Sequence, residues 1–150
     1  MKNEISVRIA RESDLPAVLT IRMEMLSDVI KGKSFDEEFR ERTRDYFTNG
    51  VQTTALAFDG ENAVGCATIC YVRVMPTFSH PTGNRAHIMN VYVNAEYRRR
   101  GIAREMMKML LDEAKSRGVT QITLDATESG RPLYQALGFS GSEEFMELII

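Results

Sequence analysis

The chain has 150 residues, of which 43% are hydrophobic and 27% are charged, and its formal net charge at pH 7 is −2. This length suits one domain over residues 1–150, and no apolar run approaches the ~20 residues that a membrane-spanning helix needs. A mildly negative charge argues against a general nucleic-acid binder, which needs a broad basic surface. Because the N-terminus lacks the apolar segment of a secretory signal, the expected location is the cytoplasm.

Helical and extended patterns alternate along the chain. The first helical spacing of apolar residues follows a cap at Ser13 or Asp14 and continues to Gly32. Further helices are predicted at 35–49, 102–117 and 130–137. Strands are predicted at 5–10, 52–58, 63–74, 85–93, 121–126 and 144–150. This order indicates an α+β or mixed α/β fold with helices on the faces of a sheet.

The turn between the strand at 85–93 and the next helix is rich in arginine. It lies within the run Val91-Tyr-Val-Asn-Ala-Glu-Tyr-Arg-Arg-Arg-Gly-Ile-Ala103. No Ser, Thr, Asp or Asn stands directly before the helix to cap it, so about four backbone N–H groups need an outside partner. Phosphate oxygens would satisfy them, because the helix dipole also favours negative charge. The sequence thus predicts an anion site, although a solvated run of surface arginines is the alternative.

These residues resemble the GNAT superfamily of acyl-CoA N-acyltransferases. Its signature, Arg or Gln-x-x-Gly-x-Gly or Ala after a strand, is matched by Arg98, Gly101 and Ala103. Two other stretches resemble its opening strand and its closing Leu-Tyr-x-x-x-Gly-Phe motif. They are Val7-Arg-Ile-Ala-Arg-Glu-Ser-Asp-Leu-Pro16 and Ala126-Thr-Glu-Ser-Gly-Arg-Pro-Leu-Tyr-Gln-Ala-Leu-Gly-Phe139. The resemblance implies a mixed sheet of six to seven strands with about four helices, splayed apart at strands four and five.

The resemblance also implies acetyl-CoA as the cosubstrate. Its pantetheine arm would lie along the fourth strand, and its diphosphate would bind the N–H groups from about Arg98 to Arg104. Thr127 stands where many relatives have an asparagine that contacts the cofactor. The cofactor-binding residues so implied are Val91, Tyr92, Val93, Arg98, Arg99, Arg100, Gly101, Ile102, Ala103, Arg104 and Thr127.

Two residues are candidates for proton transfer. Tyr134 matches the family tyrosine that is proposed to protonate the leaving thiol, and a packed core aromatic is the alternative. His87 lies six positions before Val93, where histone-modifying relatives carry a glutamate. A histidine there could accept a proton from the amine at neutral pH. A hydrogen-bonded structural histidine is the alternative, and many relatives need no dedicated base.

Arg22 and Asn90 are candidates for the acceptor pocket. Arg22 lies on the first helix, which faces the acceptor groove in relatives, but an exposed ion pair with Glu24 is the simpler interpretation. Asn90 lies on the fourth strand, where it could line the pocket or support a strand bulge. The sequence leaves both alternatives open.

The sequence therefore predicts an acetyl-CoA-dependent N-acetyltransferase whose acceptor is a primary amine of a small molecule or peptide. The alternative is a non-catalytic acyl-CoA sensor or interaction module. No metal site is expected, because no His, Cys and carboxylate cluster has suitable spacing. Neither nucleic acid nor a membrane is an expected partner. Cys66 and Cys70 are expected to be buried, reduced thiols, and a terminal strand ending at Ile150 could pair in a homodimer.

Overall fold

The computed structural model describes residues 4–150. Its strands are β1 (Ile5–Ile9), β2 (Gln52–Asp59), β3 (Asn62–Arg73), β4 (Asn84–Val93) and β5 (Gln121–Leu124). Its helices are α1 (Leu15–Val29), α2 (Glu37–Asn49), α3 (Ile102–Ser116) and α4 (Arg131–Ala136). The predicted mixed α+β architecture and the order of its first nine elements are confirmed. Residues 1–3 lie outside the described residues. They include the start of the predicted domain and of the N-terminal segment in which no secretory signal is expected.

The predicted number of strands is wrong. One sheet of five strands, in the order β1-β2-β3-β4-β5, is found in residues 4–150 instead of six to seven strands. The predicted strand at 144–150 is absent, since this segment has no regular secondary structure. Its composition favours an extended conformation, but a strand also needs a neighbour that accepts and donates backbone hydrogen bonds. None of residues 4–150 pairs with this segment.

β4 and β5 separate part of the way along β4. The other strand pairs are antiparallel, whereas β4 and β5 run parallel and pair only from Arg85–Gln121 to Ile88–Leu124. β4 continues to Val93, so residues 89–93 run past the end of β5. The predicted splay is therefore present, and it leaves a gap beside the second half of β4.

Helices pack on both faces of the sheet. The cluster beneath α3 includes Met106, Met107, Leu110, Ile69 and Ile88. The cluster beneath α1 includes Val18, Ile21, Leu56, Cys66 and Tyr92, and Phe47 of α2 packs against it. Of the three methionines of α3, Met106 and Met107 are fully buried, and their flexible side chains fill gaps in the core.

Asp14 joins the first strand to the first helix. Two guanidinium nitrogens of Arg8 donate to its carboxylate at 2.6 and 2.8 Å, and the Arg11 N–H donates to it at 2.7 Å. The Arg8 hydrogen bonds, followed by the Arg11 bond, hold the pKa of Asp14 well below its usual range.

A lowered pKa in the folded state stabilises the protein above the unfolded pKa of about 4, and this contribution is lost as the pH falls below it. We therefore expect wild type to exceed Asp14→Asn in stability by about 1 kcal/mol at neutral pH. The difference should narrow at about pH 3, as measured by urea denaturation at both pH values. Glu12→Gln removes a neighbouring carboxylate that makes no hydrogen bond within the described chain, so it is the control. A stability difference that did not depend on pH would contradict this role of Asp14.

Candidate active site

The backbone of β4 borders the gap. The Asn94 N–H donates to the Val64 carbonyl at 2.8 Å, and Tyr92 pairs with Cys66, so these alternate residues turn their backbone groups towards β3. Val91 and Val93 therefore turn theirs towards the gap, where no strand of residues 4–150 pairs with them. The Val93 carbonyl accepts a hydrogen bond from Arg98 Nε at 2.8 Å. What remains is a short open strand edge.

The first turn of α3 directs backbone donors at open space. Gly101 precedes the helix with a φ of 76°, and its carbonyl accepts from the Glu105 N–H at 3.1 Å. The N–H groups of Ile102, Ala103 and Arg104 make no hydrogen bond to any described residue. A Cβ added at Gly101 would meet no atom within 4 Å. Three free donors at the positive end of a helix dipole favour an anion, and the anion site itself stays a prediction.

The four predicted phosphate-binding arginines divide into two pairs. Arg98 is bonded to Val93, and Arg100 donates to the Glu96 carbonyl at 3.4 Å while stacking over the Tyr97 ring. The side chains of Arg99 and Arg104 make no hydrogen bond or ion pair within the described chain. Arg98 and Arg100 thus shape the loop, whereas Arg99 and Arg104 are available to an external anion.

Tyr92 belongs to the core and not to the edge of the gap. Its ring is buried beneath α1, and its hydroxyl donates to the Asp28 carboxylate. Burial and this hydrogen bond raise the pKa of Tyr92. Since its backbone pairs with β3, Tyr92 offers the gap neither its side chain nor its backbone polar groups. Its predicted place among the cofactor-binding residues stays a prediction, although no polar group of Tyr92 faces the gap.

Asn90 forms a bulge in β4. Its φ is 61°, and the register with β3 shifts between the pairs Cys66–Tyr92 and Thr68–Met89, so β4 carries one extra residue. Asn90 Nδ2 donates to Thr68 Oγ1 at 3.2 Å, and Asn90 Oδ1 accepts from Arg22 Nη1 at 3.0 Å. Asn90 thus forms the bulge, which Arg22 supports, and a place for these two residues in the acceptor pocket stays a prediction.

Arg22 does not form the ion pair with Glu24 that the sequence offered as the simpler interpretation. Instead, Glu24 Oε1 accepts from Asn94 Nδ2 at 3.3 Å, while Glu24 Oε2 is buried and has no hydrogen-bond partner among the described residues. Burial lowers the pKa of the Arg22 guanidinium. Sequence reasoning missed Asp28, although its position four residues after Glu24 places both carboxylates on one side of α1.

His87 contacts β5. Its Nδ1 lies 2.7 Å from Thr123 Oγ1, and its Nε2 lies 3.7 Å from Asp125 Oδ2, on an exposed carboxylate. Ala86 and Ile88 belong to the cluster beneath α3, so the alternation of the strand turns His87 to the opposite face. These contacts fit a structural histidine, and its role as a base stays a prediction.

Tyr134 lies on α4 and packs against the cluster beneath α3. Its ring centroid is 6.2 Å from that of Phe139, and its hydroxyl makes no hydrogen bond to residues 4–150. Burial raises the pKa of Tyr134. A Cβ on Gly130 would approach the Tyr134 ring at 3.0 Å and Thr127 Oγ1 at 3.1 Å, so a side chain at position 130 would require these two side chains to shift. The Tyr134 and His87 side chains lie on opposite faces of the sheet.

Thr127 orders the turn before α4. Its Oγ1 accepts from the Gly130 N–H at 3.1 Å and lies 3.3 Å from Ser129 Oγ, and its carbonyl accepts from the Arg131 N–H at 3.0 Å. These bonds account for Thr127 without a ligand. Its predicted contact with a cofactor stays untested.

Other features lie away from this region. A cavity of about 460 Å³ lies at the opposite end of the sheet, where β3 ends and β4 begins, and no predicted site residue lines it.

Cys66 and Cys70 are free thiols, but only Cys66 is buried, and burial raises its pKa to about 12. Among the described residues, no group of three His, Cys, Asp or Glu side chains could hold a metal ion, and no helix is long and apolar enough to cross a membrane.

Residues 15–139 match the model of the Acetyltransferase (GNAT) family. The chain belongs to the GNAT family. The whole fold is similar to the crystal structure of a "predicted acetyltransferase with acetyl-CoA" from Clostridium acetobutylicum. That structure has a TM-score of 0.85 and 28% sequence identity, over 97% of this chain and 96% of that one. This GNAT chain thus has the architecture of a protein whose structure includes acetyl-CoA.

Two curated relatives act on different acceptors by name. Glucosamine 6-phosphate N-acetyltransferase of Arabidopsis thaliana is 24% identical over 111 residues, which is 74% of each chain. Thialysine N-epsilon-acetyltransferase of Caenorhabditis elegans is 26% identical over 117 residues, which is 76% of this chain and 70% of the relative. These similarities support an acyltransferase, and they do not single out one acceptor.

Proposed function

We propose that this GNAT protein moves the acetyl group of acetyl-CoA to a primary amine of a small molecule or peptide in a direct ternary complex. The observation that carries the proposal is the open edge of β4 at Val91 and Val93, next to the free N–H groups of residues 102–104. An extended chain that contains amides and ends in a diphosphate fits both features at once.

The residues around the gap suit such a ligand. Gly101 leaves the space before α3 open, and Arg99 and Arg104 can approach a diphosphate without losing an existing partner. The amides of the pantetheine arm would pair with the backbone of Val91, and with the Val93 N–H. Because these contacts use backbone groups, substitutions of the two valines should act mainly through shape.

When bound, acetyl-CoA supplies an acetyl thioester, whose carbonyl carbon the amine nitrogen attacks as the carbon–sulfur bond breaks. The Tyr134 hydroxyl would then give its proton to the departing sulfur. Since burial raises the pKa of Tyr134, the hydroxyl stays protonated at neutral pH, as an acid must. His87 would accept the proton that the amine loses, with Thr123 and Asp125 orienting its ring.

The acceptor would enter from the face of the sheet that α1 covers. We place Arg22 and Asn90 at the wall of this pocket, where their mutual hydrogen bond fixes the shape of the β4 bulge. We also propose a cytoplasmic protein without nucleic-acid or membrane partners, on the composition and net charge of the chain.

A non-catalytic acyl-CoA sensor is the second candidate. The observation that favours it is His87, because both of its ring nitrogens face partners on or beside β5. Such a protein would keep the anion site at α3 and bind the cofactor without transferring the acetyl group.

Calorimetry with coenzyme A, together with a thiol-release assay, tests the proposal. The acceptor panel should include glucosamine 6-phosphate, thialysine and short peptides with free amino termini. We expect coenzyme A to bind and at least one amine to accelerate thiol release from acetyl-CoA. Binding without any acceptor-dependent release would favour the sensor. An absence of measurable binding would exclude both candidates.

A further inference from the structure

The cavity at the far end of the sheet is separate from the candidate active site. It is built around the last two pairs of the β3–β4 ladder, Val72–Arg85 and Arg73–Asn84, and the end of α3 adds Arg117. Its volume of about 460 Å³ is that of a small-molecule site. Since α3 has 15 residues, the cavity lies roughly 22 Å from the free N–H groups at the start of that helix.

Three arginines line this cavity without matching carboxylates. They are Arg73, Arg85 and Arg117, and none of the described residues that line the cavity is Asp or Glu. Glu113 Oε1, which lies beside it, accepts from Arg117 Nε at 3.0 Å and compensates one of the three charges. Two positive charges remain, in a chain whose net charge is −2. A concave surface that carries charge of one sign attracts ions of the other.

Two of the arginines have no partner. The exposed side chain of Arg73 makes no hydrogen bond, ion pair or ring contact with any of residues 4–150, and neither does the side chain of Arg85. Arg85 Nε is buried and has no hydrogen-bond partner among these residues. Burial removes water from this nitrogen, so the charge of Arg85 is less screened than that of a solvated surface arginine. Arg85 therefore favours an external negative group.

Arg117 is held in a fixed position. Its guanidinium lies over the Tyr71 ring, 4.3 Å from the centroid, and its Nη2 donates to Thr53 Oγ1 at 3.5 Å. Together with the Glu113 bond, these contacts orient the group, while its Nη1 makes no hydrogen bond to any described residue. A side chain that is already ordered loses little conformational freedom when it binds a ligand.

The end of α3 does not oppose a negative ligand. The last carbonyls of a helix carry partial negative charge, which would repel an anion if they were free. Here the Ala114 carbonyl accepts from the Val119 N–H at 3.1 Å. The Arg117 carbonyl accepts from Asn84 Nδ2 at 3.3 Å. Because these carbonyls are already bonded, the helix presents less free negative charge to the cavity.

The rest of the lining is largely apolar. Val51, Val72 and Val119 line the cavity, and Val51 and Val72 are exposed. An apolar part of a ligand would remove this surface from water. The lining therefore suits a molecule that carries a negative group beside an apolar one.

We propose that this cavity is a second ligand site, which binds a small organic anion. Its carboxylate or phosphate group would meet Arg73, Arg85 and Arg117, and its apolar part would cover the valines. Guanidinium groups donate paired hydrogen bonds to either kind of anion. This site goes beyond the proposed acetyl transfer and does not depend on it.

Titrations followed by amide NMR spectra of the wild-type protein give the first test. The probes are phenyl phosphate and phenylsuccinate, which separate phosphate from carboxylate, and benzyl alcohol is the uncharged control. We expect saturable shifts of the amides of Val72, Arg73 and Val119 with at least one anion, at a dissociation constant of about 1 mM or lower, and none with benzyl alcohol. If neither anion moved these amides, or if the shifts were confined to residues 102–104, the proposal would be overturned.

Matched arginine variants give the second test. Arg73→Gln and Arg85→Gln should each weaken binding of the anion by about tenfold, because each removes a charge-assisted hydrogen bond. Arg44→Gln is the control, since it removes the same charge from an exposed position on α2 whose side chain has no partner in residues 4–150. Equal affinities in all three variants would show that the anion responds only to net charge, and would contradict the site.

One further variant separates this site from the proposed function. Gly101→Leu alters the start of α3, at the other end of the helix from the cavity. It should weaken coenzyme A binding and leave the affinity for the anionic probes unchanged. A parallel loss of both affinities would place the probes at the start of α3 and overturn the second site. Because these measurements need no acetyl transfer, an inactive protein would leave them interpretable.

Discussion

Replacing Gly101 with leucine is expected to weaken the binding of coenzyme A by about 10²-fold. The new side chain would project from the position before α3, where the diphosphate is proposed to meet the N–H groups of residues 102–104. A charge-assisted hydrogen bond contributes about 1.5–3 kcal/mol, and tenfold in affinity corresponds to about 1.4 kcal/mol. Loss of one or two such bonds therefore accounts for the expected change, which titration calorimetry can measure.

The control for this substitution is Gly60→Leu. Gly60 and Gly101 have similar positive φ values, 61° and 76°, and a Cβ at either position meets no atom within 4 Å. Each substitution forces a leucine into the left-handed region, which costs roughly 1–2 kcal/mol of folding stability. Gly60 lies in the turn between β2 and β3, so its variant should lose similar stability and keep its affinity for coenzyme A. Equal affinities of the two variants for coenzyme A would contradict the proposal that the diphosphate binds at the start of α3.

Replacing Tyr134 with phenylalanine is expected to lower turnover by about 10²-fold while the dissociation constant of coenzyme A changes less than about twofold. The substitution removes a hydroxyl that bonds to no described residue, so the packing of the ring against Phe139 should survive. The expected effect is modest because proton transfer from tyrosine to a thiolate is uphill. The reference pKa of tyrosine is about 10, whereas that of the thiol is about 8.5.

Tyr71→Phe serves as the control for Tyr134→Phe. The Tyr71 hydroxyl lies 2.9 Å from Thr53 Oγ1, away from the gap, so its loss should affect stability and leave turnover unchanged. Because the pKa of Tyr134 is raised, its acid form is lost only at high pH, and turnover should not fall for this reason at neutral pH. Turnover of Tyr134→Phe within twofold of wild type would identify Tyr134 as a packed core aromatic.

Local features of the chain were predictable from the sequence. The uncapped start of α3 depends only on the residues around Gly101, and it is found as predicted. The splay between β4 and β5 followed from the family resemblance, and it is also present. The helix start depends on neighbours in sequence, whereas the splay joins strands 36 positions apart and was implied by the resemblance alone.

Features that depend on distant contacts were not predictable. Arg22 meets Asn90 across 68 positions of sequence, and the bulge at Asn90 depends on the register of β4 with β3. Arg98 was expected to face phosphate because of its charge, but the carbonyl of Val93 lies within its reach. The strand predicted at 144–150 from composition is absent, because a strand also needs a neighbouring strand and none of residues 4–150 pairs with this segment.

The extra residue in β4 determines which side of the sheet each later residue faces. Before it, Ile88 points towards the methionines of α3, and after it Val93 does so, five positions later instead of four or six. Deleting Asn90 would exchange the faces of the sheet to which the side chains after position 90 point. The Tyr92 phenol would then lie against those methionines and away from Asp28. One extra residue in β4 thus places the Tyr92 ring in the core beneath α1 and turns the backbone amides of Val91 and Val93 towards the gap, where a ligand could pair with them.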